Sequence, residues 1–200
     1  MIVKTFENEE TWLEGRKGKI TGSRLKDIVV KRGTGEKKGY YELIAERIAQ
    51  PADDENVMER GHRLETEAIA LFEEKTGKKF DTSLVIWERD DNANIAISPD
   101  AFADTEAVEV KCLSSASHIE AYLTQQVPDE YEYQVLQYFI VNENLETLYF
   151  VMYDPRMPEK VQLHYFTITR EQVAEQVKLY TEYQKEKLAK IDDIINQLTF

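Results

Sequence analysis

Residues 98–112 read SPDAFADTEAVEVKC, and the last six of them, AVEVKC, decide the fold. Val108 and Val110 alternate with Glu109 and Lys111, which is the two-residue period of a strand. The valines share one face, and Glu109 and Lys111 share the other, about 7 Å apart along the chain. Alone, such a pair also fits the surface of an ordinary half-exposed strand. Upstream, Pro99 has no N–H to give a ladder, so the preceding strand ends at Ser98. The short connection to AVEVKC makes a hairpin-like return, which sets Asp100 and Glu109 on neighbouring strands. Two carboxylates held together repel unless positive charge lies between them. Lys111 is one candidate for that charge and a divalent cation is another. Oxygen ligands with room for water suit Mg²⁺ or Mn²⁺ better than zinc. The one cysteine, Cys112, and the scattered His62, His118 and His164 form no competing set.

Working outward, SLVIWER (83–89) and NIAIS (94–98) read as two strands around a turn at DDNA, and AVEVKC as a third after the loop FADTE. LETLYFVMY (145–153) and VQLHYFTI (161–168) read as two more, joined through DPRMPEK. Helices are expected from the Thr-Gly-Ser signal of ITGSRLKDIVVKR, over YYELIAERIAQ, from about 57 to 76 with a stop at Gly77, near 115–124 and near 129–142. The chain closes on a long amphipathic helix, with Val173, Val177, Tyr180, Leu188, Ile191, Ile195 and Leu198 near helical spacing. This order predicts an α/β (α+β) fold, a central sheet covered by helices. One domain over 1–200 is expected: a helical part to about 76, a sheet core over about 83–168, and the terminal helix over about 170–198.

The net charge of −13 argues against nucleic-acid binding, but its distribution does not. Residues 16–38 carry Arg16, Lys17, Lys19, Arg24, Lys26, Lys31, Arg32, Lys37 and Lys38 against only Asp27 and Glu36. That is either a solvated face or a phosphate-facing surface on a chain that elsewhere repels polyanions. A single cysteine, no signal-like apolar segment at the N-terminus and no membrane-length apolar run lead to the expectation of a cytoplasmic protein with no membrane partner.

Two more polar residues sit where apolar ones are expected. On a helical wheel Gly61, Leu64, Ala68, Ile69, Leu71 and Phe72 form one arc, and Glu65 falls inside it. A carboxylate there is paired with an arginine or belongs to a site. Gln134 and Gln137 interrupt the apolar and aromatic run YEYQVLQYFIV. A glutamine in such a place is either a satisfied core residue or one that positions a lysine or a water.

Asp100, Glu109-x-Lys111, an upstream helical Glu65 and a downstream helical Gln134 together resemble the PD-(D/E)xK nuclease superfamily. Within it the chain resembles the lambda exonuclease or YqaJ-type viral recombinase family, from about residue 12 to 168. The similarity is carried by WLEGRKGKITGS, GHRLE, SPD, EVKC, YQVLQY, YDPRM and LHYF, in that order. The resemblance implies a restriction-endonuclease-like core and a phage-type alkaline exodeoxyribonuclease. Such an enzyme digests double-stranded DNA 5′→3′ with Mg²⁺, one ion or two, and Mn²⁺ as a substitute. Asp100, Glu109, Glu65 and the carbonyl of Val110 would hold metal. Lys111 would orient or deprotonate the attacking water, and Gln134 would support Lys111. Arg16 and Ser23 match positions that bind the terminal 5′-phosphate. A further family arginine aligns near Gly33, with Arg32 beside that place. The resemblance also implies a ring-shaped homotrimer and a single-strand annealing partner. An endonuclease or RecB-like nuclease and a non-catalytic DNA-end-binding module are the alternatives; one cysteine excludes the iron–sulfur cluster of Cas4-like chains.

Overall fold

A computed structural model describes Thr11, residues 38–49 and residues 57–199. The helix expected at ITGSRLKDIVVKR, with Arg16, Ser23 and Arg32, lies outside the described residues. The elements run α1 (Lys38–Ile48), α2 (Val57–Thr76), β1 (Trp87–Arg89), β2 (Asn92–Ile97), β3 (Ala101–Ala103) and β4 (Glu106–Lys111). Then come α3 (Ser115–Thr124), a 3-10 turn (Asp129–Tyr131), α4 (Glu132–Val141), β5 (Thr147–Tyr153), α5 (Glu159–Gln162), β6 (Leu163–Thr169) and α6 (Arg170–Thr199). This is a mixed α/β fold with a central sheet flanked by helices and a long C-terminal helix. Among the described residues no helix is long and apolar enough to cross a membrane.

The chain forms two compact units, each discontinuous in sequence: Met1–Leu64 with Cys112–Gln126 and Met152–His164, and Glu65–Lys111 with Val127–Val151 and Tyr165–Phe200. In the first unit α1 lies on α3 through Tyr41, Ala116, Ile119 and Met157. Helix α3 starts where the Ser114 hydroxyl accepts the Ser117 N–H, a capping bond that satisfies a first-turn donor. The turn after β5 is tied down by Asp154, which is fully buried. Its carboxylate accepts the Ser115 hydroxyl and, in a fork, Arg156 Nε at 2.7 Å and Nη2 at 2.9 Å. Burial works against that charge, yet the Arg156 and Ser115 bonds hold the carboxyl below its usual range.

The second unit is built on a four-stranded sheet of order β3-β4-β5-β6, with β1 and β2 as a separate antiparallel pair. Strand β4 is internal, and Ala107, Val108, Glu109 and Val110 are all buried. The half-exposed strand is thus excluded: both faces are covered, as in sheets with layers on each side. Ile95, Leu136, Ile140 and Val141 form one core, completed by Trp87, Ile97 and by Val173, Val177, Tyr180 and Leu188 of the expected α6 stripe. Phe72 of α2 meets Tyr149 and Tyr165 at ring separations of 5.1 and 5.0 Å. Helix α2 stops where expected: Gly77 takes φ +71°, which only glycine adopts freely, and its N–H bonds the Glu73 carbonyl at 2.8 Å.

Two local readings need correction. FADTE is not a loop: Ala101–Ala103 is strand β3, and the turn is confined to Asp104 and Thr105, with Asp104 at φ +43°. A three-residue strand is too short to show a period. SLVIWER is strand only from Trp87, and Leu84 and Ile86 are 104% and 68% exposed. Asp81 pairs with Phe102 through two backbone bonds, and then its side chain captures the Ser83 N–H at 2.7 Å. That local bond takes a donor a strand would have used and turns the chain away.

The C-terminal end of α4 is held by arginines. Arg170 Nε donates to Leu145 O at 2.7 Å, and its Nη2 to Phe139 O at 3.0 Å and Asn142 O at 2.5 Å. Arg89 donates to Ile140 O. Cations placed there satisfy carbonyls that the helix leaves open and oppose its negative end. Arg170→Met is therefore expected to lower stability by about 2–3 kcal/mol in urea unfolding, with the transition slope unchanged.

Candidate active site

Strands β3 and β4 pair antiparallel as Ala101↔Val108, Phe102↔Ala107 and Ala103↔Glu106. One step further along this register sets Asp100 across from Glu109. The contact is direct in the next residue: Asp100 Oδ2 accepts the Val110 N–H at 2.6 Å. Glu109 points into the protein and is 2% exposed. A carboxylate so buried needs donors, and it has three. Gln134 Nε2 donates to Oε1 at 2.7 Å, the Tyr138 hydroxyl donates to Oε2, and the Lys111 ammonium pairs with Oε1. Gln134 and Tyr138 lie four residues apart on α4, hence on one helix face. Lys111 and Glu109 share a strand face two residues apart. The Lys111 ammonium also stands 5.2 Å from the centre of the Tyr131 ring.

Burial and charge together account for the titration of Asp100. Burial first, then the negative charge of Glu109 and, more weakly, that of Glu65, push the Asp100 carboxyl up to about 7; the Val110 N–H and Lys111 pull against them. The Tyr138 phenol is pushed up by burial and by Glu109 beside it, so it serves as a donor. Glu65 is half-buried on α2 and acts on Asp100 through its charge.

The structure thus brings Asp100, Glu109, Val110, Lys111 and Gln134 together, with Glu65 within electrostatic reach. Gln137 goes elsewhere: it donates to Ala96 O at 3.3 Å and accepts from Gln184 at 2.8 Å, joining β2 to α6. Tyr138 and Tyr131 are neighbours that reading the sequence passed over. The signal was present, since Tyr138 is one turn beyond Gln134 and Tyr131 three residues before it, but aromatic residues in such a run read as core.

The donor set fits a hard cation. Asp100 and Glu109 with the Val110 carbonyl offer oxygen only, and the charge of Glu109 adds to burial in raising the Asp100 carboxyl. Among the described residues no group of three or more His, Cys, Asp and Glu is placed to hold a metal ion. An open two-carboxylate set suits an ion that keeps several waters, such as Mg²⁺, rather than a structural zinc.

A buried Asp/Glu pair with a lysine, on two paired strands of a helix-flanked sheet, sets both negative and positive charge at one point, as hydrolytic sites do. The sequence model of the YqaJ-like viral recombinase domain matches residues 11–144, and the chain belongs to that family. Two solved structures are similar to it, both of LHK-Exo, an alkaline exonuclease from Laribacter hongkongensis. The one in complex with dAMP is 29% identical, covers 91% of this chain and 99% of its own, and has a TM-score of 0.54. The other is 28% identical with the same coverage and a TM-score of 0.55. No curated protein matches the chain. Family and structures together support a nuclease of the phage exonuclease type.

Asp100 yields a pH prediction for the protein free of divalent ions. Its carboxyl titrates near 3.8 when unfolded and at about 7 when folded. Between those values the folded protein holds a proton that the unfolded chain has released, so this contribution to stability falls as pH rises from about 4 to about 7. Asp100→Asn keeps an acceptor for the Val110 N–H and removes the titration. At pH 8 without divalent ions it is expected to be more stable than the parent, on the order of 2 kcal/mol, with the difference vanishing towards pH 4. Thermal melts of both proteins over that range check this.

Proposed function

We propose that the chain is a Mg²⁺-dependent 5′→3′ exonuclease on double-stranded DNA, releasing 5′-mononucleotides and leaving a 3′ single strand. The convergence of Asp100, Glu109 and Lys111 at one buried point carries this reading. Bound Mg²⁺ would neutralise phosphate charge and lower the pKa of a water. Asp100, Glu109 and the Val110 carbonyl would hold it, with Glu65 nearby for a second ion or its water. The chain's own residues do the rest. Gln134 and Tyr138 fix the rotamer of Glu109, so its oxygens are oriented before substrate arrives. Lys111 supplies a cation at the phosphate and a donor that orients the attacking water. Arg16 and Ser23, with Arg32 beside them, would bind the terminal 5′-phosphate. That handle exists only at a 5′ end and would set direction.

A mononucleotide fits as product: LHK-Exo has been seen with dAMP, and we expect this chain to bind dAMP too. The 3′ strand would pass to a single-strand annealing partner, and a ring-shaped trimer enclosing DNA would suit such an enzyme.

End-labelled linear duplex, with 5′-phosphate or 5′-hydroxyl, is compared with closed circular DNA in Mg²⁺ and in EDTA. Mononucleotides from linear DNA only, faster from phosphorylated ends and abolished by EDTA, are expected; cuts in circular DNA would make it an endonuclease. Lys111→Ala should cost at least about 10²-fold in kcat while retarding duplex on a gel as the parent does. Arg16→Ala should shrink the preference for phosphorylated ends.

A further inference from the structure

Glu109 Oε1 receives two donors, the Gln134 amide and the Lys111 ammonium, and Oε2 receives the Tyr138 hydroxyl. A carboxylate oxygen has about two lone-pair sites, so Oε1 is filled. If Glu109 is to ligate a cation through that oxygen, one donor must yield. Gln134 and Tyr138 are neutral and set on a packed helix, and Tyr138 is fully buried. Lys111 is the last residue of β4, its side chain is 23% exposed, and it alone carries a charge that an arriving cation repels. Lys111 is therefore the donor that gives way, and its long stem would carry it into solvent unless something else held it.

The structure supplies that holder. The Tyr131 ring lies 5.2 Å from Nζ, within cation–π range, and is backed by Phe150 at 5.5 Å. Tyr131 closes the 3-10 turn that leads straight into α4, so it is built into the same stretch as Gln134 and Tyr138. A ring face is neutral: it can hold an ammonium beside a bound cation without competing for that cation, as a carboxylate would.

We infer that Tyr131 is a positioning residue whose ring is the second seat of the Lys111 ammonium, keeping it in the site once Glu109 turns to metal. The inference rests on the nuclease reading above. It predicts that the ring matters and the hydroxyl does not.

Tyr131→Phe and Tyr131→Leu are compared with the parent on 5′-phosphorylated linear duplex at saturating Mg²⁺, at a temperature where all are folded. Tyr131→Met replaces Tyr131→Leu if the latter does not fold. The expectation is a fall in kcat of about tenfold for the non-aromatic variant with KM within about twofold, and near-parental values for Tyr131→Phe. In parallel, Lys111 is acetylated with isotope-coded acetic anhydride in Mg²⁺ and located by peptide mass. Its labelling should rise about threefold in the non-aromatic variant and stay parental in Tyr131→Phe. Parental kcat and labelling in the non-aromatic variant overturn the inference. So does a rise in KM alone, which would mean that the ring touches DNA, or a Tyr131→Phe as impaired as Tyr131→Leu. If the parent digests no DNA, the nuclease reading fails, while the labelling still decides whether the ring holds Lys111.

Discussion

A single buried carboxylate, Glu109, sets the terms for the rest of the second unit. An ionised group taken from water to 2% exposure costs several kcal/mol unless its lone pairs are met. Here they are met from two elements, β4 through Lys111 and α4 through Gln134 and Tyr138. Helix α4 must therefore sit at one distance and one rotation over the sheet. Leu136, Ile140 and Val141 pack it against Ile95, and Arg170 and Arg89 hold its last carbonyls. The apolar packing gives α4 its place, and Glu109 makes that place exacting.

Register is the second constraint. Shifting a strand by one residue turns every side chain to the other face. Asp100 meets the Val110 N–H only because Ala101 pairs with Val108, and that pairing is set by a turn confined to Asp104 and Thr105. A slip of one residue would set a valine across from Asp100 in place of Glu109. A three-residue strand with little apolar weight is thus kept in place by its turn, by Asp81 pairing with Phe102, and by the Trp87 ring set edge-on to Phe102 at 5.5 Å.

Much of this was legible in the residues themselves. The period of AVEVKC puts Glu109 and Lys111 on one face, and Pro99 with a short return brings Asp100 alongside. Glu65 and Gln134 stood out as polar residues on apolar faces. What was not legible follows from what periodicity can carry. Strand β3 is too brief to have a period. Glu109 is buried because α4 lays Gln134 and Tyr138 over its face of β4, which is a fact of helix packing and not of local pattern. Tyr138, Tyr131 and Arg170 look in sequence like core aromatics and a surface cation; their roles appear only when the groups facing them are known. The turn YDPRM could be quoted, but nothing along the chain tells that Asp154 meets Ser115, 39 residues away.

The site's own electrostatics set an order of events. Asp100 feels the negative charge of both Glu109 and Glu65, and Lys111 offsets part of it at Asp100 and pairs with Glu109. A phosphodiester brought there alone adds negative charge to a surplus, in a setting where burial weakens screening by solvent. Lys111 cannot serve both the carboxylates and the phosphate. On the proposed function, a cation held by the carboxylates would change both terms together: it would lessen the repulsion of a phosphodiester and would free the ammonium from Glu109. Metal and substrate are then linked through one lysine, so each should bind more tightly in the presence of the other. The acidity of this chain, −13 overall, would work in the same direction, since it would leave a polyanion little to hold away from the places where positive charge has been arranged.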